Sequence, residues 1–447
     1  MVHEVRSVIF QPTALESQQG SCKACSEGDI MTINDRILNA LRSSTGSHGI
    51  GGFIYQSAPA FLNATDVQGN VNYSPVSLWI ALAIASQGAK NRTLEQLQDA
   101  LGLTGLSDAD YRSLIQSINQ QQPCAKSVME THSSIWIENA ITPLPSFITT
   151  VSNAFDAQIE TVDFADPATG MHISDWIASH TAGLLRPSIT TDSNDRLSIV
   201  NTMFADGRWE DPFEEENTTT DVFHGERGDA DVPFMHGSQL GIPYLCDETF
   251  GWQRVDLPFD DGSELRIILP DQGHFGTIVS DAIALRRAIS TEWESAVPEQ
   301  DKRELIGMDR LKAKLAARKE PERMPIYANK VWAHISLPRF EISSTFQKEQ
   351  IITALQSLGI QDAFNPNAAD FSRIYVNPLV IGSIIQSTRI EVNEHGAKAV
   401  AYTMVLAPAG APPQLGDEIT FTVDRPFLYA LVTRDGLPLF VGAVRNL

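Results

Sequence analysis

Residues 394–413, EHGAKAVAYTMVLAPAGAPP, constrain this chain more than any other stretch. From Ala399 to Pro413 the segment has no charge, in a protein whose formal net charge is −22. A disordered linker would be more polar. A helix is opposed by Pro408, Gly410 and the Pro412–Pro413 pair. With the period of two of a strand, one face carries Ala397, Ala399, Ala401, Thr403, Val405 and Ala407. The other carries Lys398, Val400, Tyr402, Met404, Leu406 and Pro408. The first face is small throughout, as a strand entering the middle of a closely packed sheet requires. Yet the segment ends in Pro and Gly, which suit an exposed, cleavable loop. Taken alone, the pattern also fits an edge strand running into a turn.

The rest of the chain is globular in composition. Its 447 residues are 43% hydrophobic, enough for a large core and one or two domains. Strong acidity excludes a nucleic-acid partner and an anionic membrane surface. No run reaches the roughly 18 apolar residues of a membrane helix. The N-terminus lacks the pattern of a secretory signal, so a location inside the cell, export by another route, or a natural start that differs from the given one is expected. Cys22, Cys25, Cys124 and Cys246 are too few for a disulfide framework. Cys22 and Cys25 read as thiols in a loose leader over residues 1–33, with metal or redox use as the alternative. No metal and no cofactor are expected.

Along the chain, DRILNALRSS from Asp35 predicts a helix, followed by the Gly-rich break SSTGSHGIGG. Gly46, Gly49 and Gly51 lack the lysine of a phosphate loop. Ser74 and Pro75 open a helix that stops at Gly88. A second helix is predicted from Thr93, with Gln96 in a capping box, to Gly102. SSIWIENAIT, LSIVNTMFA and VWAHISLPRFEIS each predict one strand. Residues 255–270 predict a hairpin turning at Asp261–Gly262, residues 346–358 a helix, and residues 420–447 two buried strands. Helices and strands mix without regular alternation, which gives an α+β class. The locally basic segment 301–323 reads as a solvated surface helix, or as a docking site for an acidic partner. No G-x-S-x-G, H-E-x-x-H or Walker A motif points to an enzyme.

Several blocks resemble the serpin family in family order. VNEHGAKAVAYT is similar to the reactive-loop hinge, and FTVDRPFLYAL with GLPLFVGAV to the C-terminal signature. NYSPVSLWIALAIASQGAKNRTLEQL, SIVNTMFADGRWEDPF and LGIQDAFNPNAADFSRI resemble three further blocks, so that the likeness covers about residues 34–447. The resemblance implies one domain of three β-sheets and about nine helices, with an exposed reactive-centre loop. It also implies a monomeric, non-enzymatic suicide inhibitor of serine proteases, of the bacterial kind, secreted or at the cell surface. The alternatives are a non-inhibitory serpin acting as a binding or chaperone module, and a hydrolase with an unrecognised site.

Carried over residue by residue, Glu394, Gly396, Ala397, Ala399, Ala401 and Thr403 match the hinge. Ser74, Ser77 and Asn201 match the shutter where the sheet opens, and Trp209 the breach at its top. Gln386 stands where the family often has histidine and is expected to donate to Asn201. Lys398 stands where an acidic residue is common, and Tyr402 is bulkier than usual. No Lys or Arg lies between Lys398 and Arg425, which excludes trypsin-like targets. Counting from Glu394 puts the reactive bond at Gly410–Ala411, and counting back from Pro412 puts it at Ala409–Gly410. The expected partner is a protease with a small, elastase-like pocket.

Overall fold

The computed structural model describes residues 50–63, 69–122, 125–290, 329–346, 348–397 and 417–447. The leader, the helix expected from Asp35, Cys22, Cys25, Cys124 and the basic segment 301–323 lie outside them. So do Ala399, Ala401, Thr403, Ala409, Gly410 and Ala411.

Burial explains the first helices. Ser74 Oγ accepts the Ser77 N–H at 3.3 Å and Pro75 occupies the first turn. Helix α2, Pro75–Gly88, follows α1, Ile50–Leu62. Every residue of α2 except Gln87 is buried, which accounts for its unbroken apolar run. It packs against strands of both sheets described below. Seven more α-helices occur among the described residues: α3, Asn91–Leu101; α4, Asp108–Asn119; α5, Pro145–Phe155; α6, Ala168–Ser179; α7, Phe275–Ser280; α8, Ala282–Ile289; and α9, Lys348–Ser357.

The strands are β1, Val71–Tyr73; β2, Val128–Glu138; β3, Gln158–Val162; β4, Leu197–Arg208; β5, Thr219–Gly225; β6, Gly228–Asp247; β7, Trp252–Pro258; and β8, Glu264–Pro270. After them come β9, Asn329–Pro338; β10, Phe340–Phe346; β11, Ser383–Asn393; β12, Gly396–Ala397; β13, Glu418–Thr422; β14, Phe427–Val432; and β15, Pro438–Val444. One ladder runs β10-β11-β12-β4-β2-β3. The other runs β1-β15-β14-β8-β7-β6-β9-β13, with β5 on β6. Twenty-residue β6 bends where its register shifts between Leu240 and Ile242, at Gly241 with φ +77°. The two ladders, of nine and six strands, and nine α-helices make an α+β architecture among the described residues.

Some local expectations fail for tertiary reasons. The Gly-rich break ends in helix α1, because burial of Ile50, Phe53, Ile54, Phe61 and Leu62 overrides the cost of Gly51 and Gly52. The capping box does not form. Helix α3 starts at Asn91, Thr93 Oγ1 accepts from Asp370 N–H, and Gln96 Oε1 accepts from Gln361 and Asp362 N–H at 3.0 and 2.8 Å. VWAHISLPRFEIS is two strands broken at Arg339, since β9 and β10 belong to different ladders. The helix expected over 346–358 spans Lys348–Ser357, with Phe346 closing β10. The C-terminal region adds β13 ahead of its two buried strands.

The β14–β15 pair sits under close packing. A Cβ on Gly442 would lie 2.0 Å from the Tyr429 ring. Gly442→Ala is therefore expected to destabilise the fold by about 1–3 kcal/mol, read as a lower thermal midpoint in circular dichroism.

Candidate functional site

In the six-stranded sheet, β4 and β11 are parallel neighbours that meet only at one end. There Ser383, Ile384 and Ile385 pair with Ser198, Ile199 and Val200. At the other end β12 lies between them. Ala397 pairs with Val392 and Gly207, and Gly396 with Asn393 and Arg208, antiparallel on both sides. Between these ends, residues 201–206 of β4 and 386–391 of β11 have no strand between them among the described residues. A small, partly open cleft lies at this gap, lined by Met203, Phe204, Ala205, Arg389, Ile390 and Glu391. Thr181, Leu184 and Leu185, just after α6, complete its lining.

The turn into β12 is held by the chain after β4. Trp209 Nε1 donates to Asn393 O at 2.9 Å, and Trp209 N–H to His395 O at 3.1 Å. Phe213 N–H donates to Glu394 O at 3.0 Å. The Trp209 ring stacks on Phe259 with centroids 4.7 Å apart. A Cβ on Gly396 would lie 1.9 Å from Gly207 O, so only glycine allows this approach. Gly207 is equally confined, because a Cβ there would meet the Phe259 ring at 2.7 Å. Ala397 is 1% exposed.

Glu394 is 3% exposed and accepts hydrogen bonds from the Arg339 guanidinium and the Thr218 hydroxyl. Burial alone would raise its pKa. The Arg339 and Thr218 bonds outweigh that and hold the carboxyl below the ordinary glutamate range.

The polar residues carried over to the shutter gather at the start of α2. Ser77 Oγ donates to Asn201 O at 3.2 Å, and Ser74 Oγ to Leu439 O at 2.7 Å. Gln386 does not donate to Asn201. Its Nε2 donates to Ser74 O at 2.7 Å, and its buried Oε1 has no partner among the described residues. The Asn201 amide is already committed to β2, donating to Thr131 Oγ1, His132 O and Ser133 Oγ at 2.9–3.1 Å.

Glu394, Gly396, Ala397 and Trp209 thus meet at one end of the gap, and Ser74, Ser77, Asn201 and Gln386 near the other. Sequence reasoning missed Arg339, Thr218, Gly207 and Phe259. Only Arg339 left a signal, as a charge that interrupts an apolar run.

β12 thus bridges β4 and β11 at one end of the gap, within a fold of the α+β class. The comparisons give the class a family. The model described as Serpin (serine protease inhibitor) matches residues 59–447, and the chain belongs to the serpin family. It is 28% identical over 403 residues to Serpin-Z7 of Hordeum vulgare, covering 84% of this chain and 90% of that one. It is 26% identical over 384 residues to the Leukocyte elastase inhibitor of Xenopus laevis, covering 83% and 91%. The native structure of the thermophilic serpin Tengpin aligns with a TM-score of 0.67 at 26% identity, covering 96% of each chain.

The lowered Glu394 pKa fixes a pH signature. Its stabilisation is fully present above the unfolded value, near 4.5, and is lost as pH falls through the lower folded value. Glu394→Gln should therefore lower the thermal midpoint at pH 7. The gap to the unaltered protein should close as the pH is taken below about 4.5, which melting curves across pH 3–7 would show.

Proposed function

We propose that this serpin traps serine proteases as acyl-enzymes while its own cleaved loop enters the six-stranded sheet. The observation that carries this reading is β12, two residues long and paired on both sides at the mouth of the gap. Continuing its register puts Ala399 between Ala205 and Ile390, and Ala401 between Met203 and Thr388. Met203 and Thr388 are 2% and 1% exposed, so these rows need small side chains. Thr403 falls between Asn201 and Gln386. A hydroxyl arriving there supplies the donor that Gln386 Oε1 lacks. Lys398, Val400 and Tyr402 fall on the opposite face.

The chemistry is the protease's own. Its serine attacks the carbonyl of the reactive bond and forms an ester, while the peptide C–N bond breaks and the new amine leaves with the serine's proton. The freed loop then becomes a strand and carries the protease with it, before water can hydrolyse the ester. Inserting about 12 residues forms about as many backbone hydrogen bonds, each worth roughly 0.5–1.5 kcal/mol net, on the order of 10 kcal/mol in all. Slowing deacylation tenfold takes about 1.4 kcal/mol, so the driving force is ample. The starting state is then held by kinetics.

The uncharged, small-residue loop supports an elastase-like target cut at Ala409–Gly410 or Gly410–Ala411. The name of the Xenopus laevis relative agrees with that choice.

Mixing the protein with neutrophil or pancreatic elastase should give a band near the summed masses that survives boiling in detergent. Mass spectrometry of the released C-terminal peptide identifies the bond. Ala401→Arg should be cleaved at the same bond while the covalent band falls at least about tenfold, since a buried charge stalls the strand. Cleavage of the unaltered protein by every small-pocket protease, with no stable band, would refute inhibition.

A further inference from the structure

The seam between β4 and β11 is closed by more than its three backbone rows. Gly382 N–H donates to Leu197 O at 2.8 Å, just beyond the pairs that Ser383, Ile384 and Ile385 make with β4. Past that bond the chain carries charge. Asp195, shortly before β4, meets Lys348, the first residue of α9, with Nζ 2.9 Å from Oδ1. The Asp195 side chain is 8% exposed and that of Lys348 35%. The carboxylate lies over Gly382, where a Cβ would come within 2.5 Å of Oδ1, so the crossing needs glycine beneath it.

The two partners belong to different halves of the six-stranded sheet. Asp195 leads directly into β4, which pairs with β2. Lys348 stands just after β10, which pairs with β11, and α9 itself packs against β11. The ion pair therefore crosses the seam. Arg196, the cation next to Asp195 in sequence, sends its guanidinium to the backbone oxygens of Ser193 and Asp195. The Asp195 carboxylate accepts from Lys348.

A buried carboxylate that loses its cation is costly, so a charged bond with one end inside the protein resists separation more than an exposed pair does. Parting β4 from β11 at this end breaks the neutral Ser198–Ser383 contact and the backbone rows. It also draws Asp195 away from Lys348. We infer that Asp195 and Lys348 form a latch across the seam, and that the pair sets how often its closed end opens in the resting protein. The latch needs no target. Its consequence, a brake on the last stage of insertion, rests on the proposed inhibitory function.

Hydrogen exchange followed by mass spectrometry reads this opening without a protease. Lys348→Met keeps an apolar stem and loses the charge. In it, peptides over residues 197–200 and 382–385 should exchange about three- to tenfold faster than in the unaltered protein. Lys348→Arg keeps a charged donor and should restore most of the protection. Peptides over β14 and β15, in the other ladder, should keep their rates in both variants, with melting curves as a folding control. Unchanged exchange at the closed end in Lys348→Met would overturn the inference. So would an equal acceleration over β14 and β15, because the pair would then be an ordinary contribution to stability. Lys348→Arg exchanging as fast as Lys348→Met would overturn it too. Absence of a covalent band with every small-pocket protease would instead count against the inhibitory function and leave the latch standing.

Discussion

Among the described residues no strand lies between 201–206 of β4 and 386–391 of β11, and β12 fills only the mouth of that gap. On the proposed insertion, the sheet hydrogen bonds to be formed there are the reservoir of free energy. The rest of the site holds this gap at its present length. At the closed end, Ser198 and Ser383 hydroxyls meet at 2.7 Å, in line with the three backbone pairs. At the open end, Trp209, Phe213 and Glu394 fix the turn before β12.

Helix α2 is the common support of the seam. Ser77 ties it to β4 through Asn201 O, and Gln386 ties β11 to it through Ser74 O. The Asn201 side chain binds β4 to β2, so those strands are joined on their far side. Opening the seam therefore separates a β4–β2–β3 unit from a β11–β10 unit over the start of α2. The bonds that resist it are few and local, while the bonds to be gained extend along the whole gap.

The sequence was most legible where local chemistry and burial agree. Ser74 and Pro75 announce α2, and its apolar run reflects a helix buried on nearly every side. The small face at Ala397, Ala399 and Ala401 was readable because a strand's period separates it from Lys398 and Tyr402. Partners set by tertiary approach were not readable. Thr93 and Gln96 spell a capping box, yet the chain near Asp362 and Asp370 claims both side chains. Gln386 could be placed near Ser74 and Asn201 only by resemblance, and which of the two it bonds depends on Asn201 being occupied by β2. Gly207 faces Phe259 across 52 positions of sequence, a constraint no local pattern carries.

On the proposed function, the geometry also sets the order in which an entering strand closes the gap. Glu394 is bonded to Arg339, between β9 and β10, so the turn is a fixed pivot rather than a travelling one. From it the entering strand can only lengthen by one pair of rows at a time, away from Ala397. It fills the rows of residues 201–206 and 386–391 first and reaches the parallel pairs at Val200 and Ile385 last. Breaking those pairs costs one short parallel ladder, the weaker kind per residue. Two antiparallel ladders replace it, one on β4 and one on β11. In that mechanism the gain begins before the closed end has to yield, so the rows proposed for Ala399 and Ala401 come early in the contest between insertion and hydrolysis of the ester.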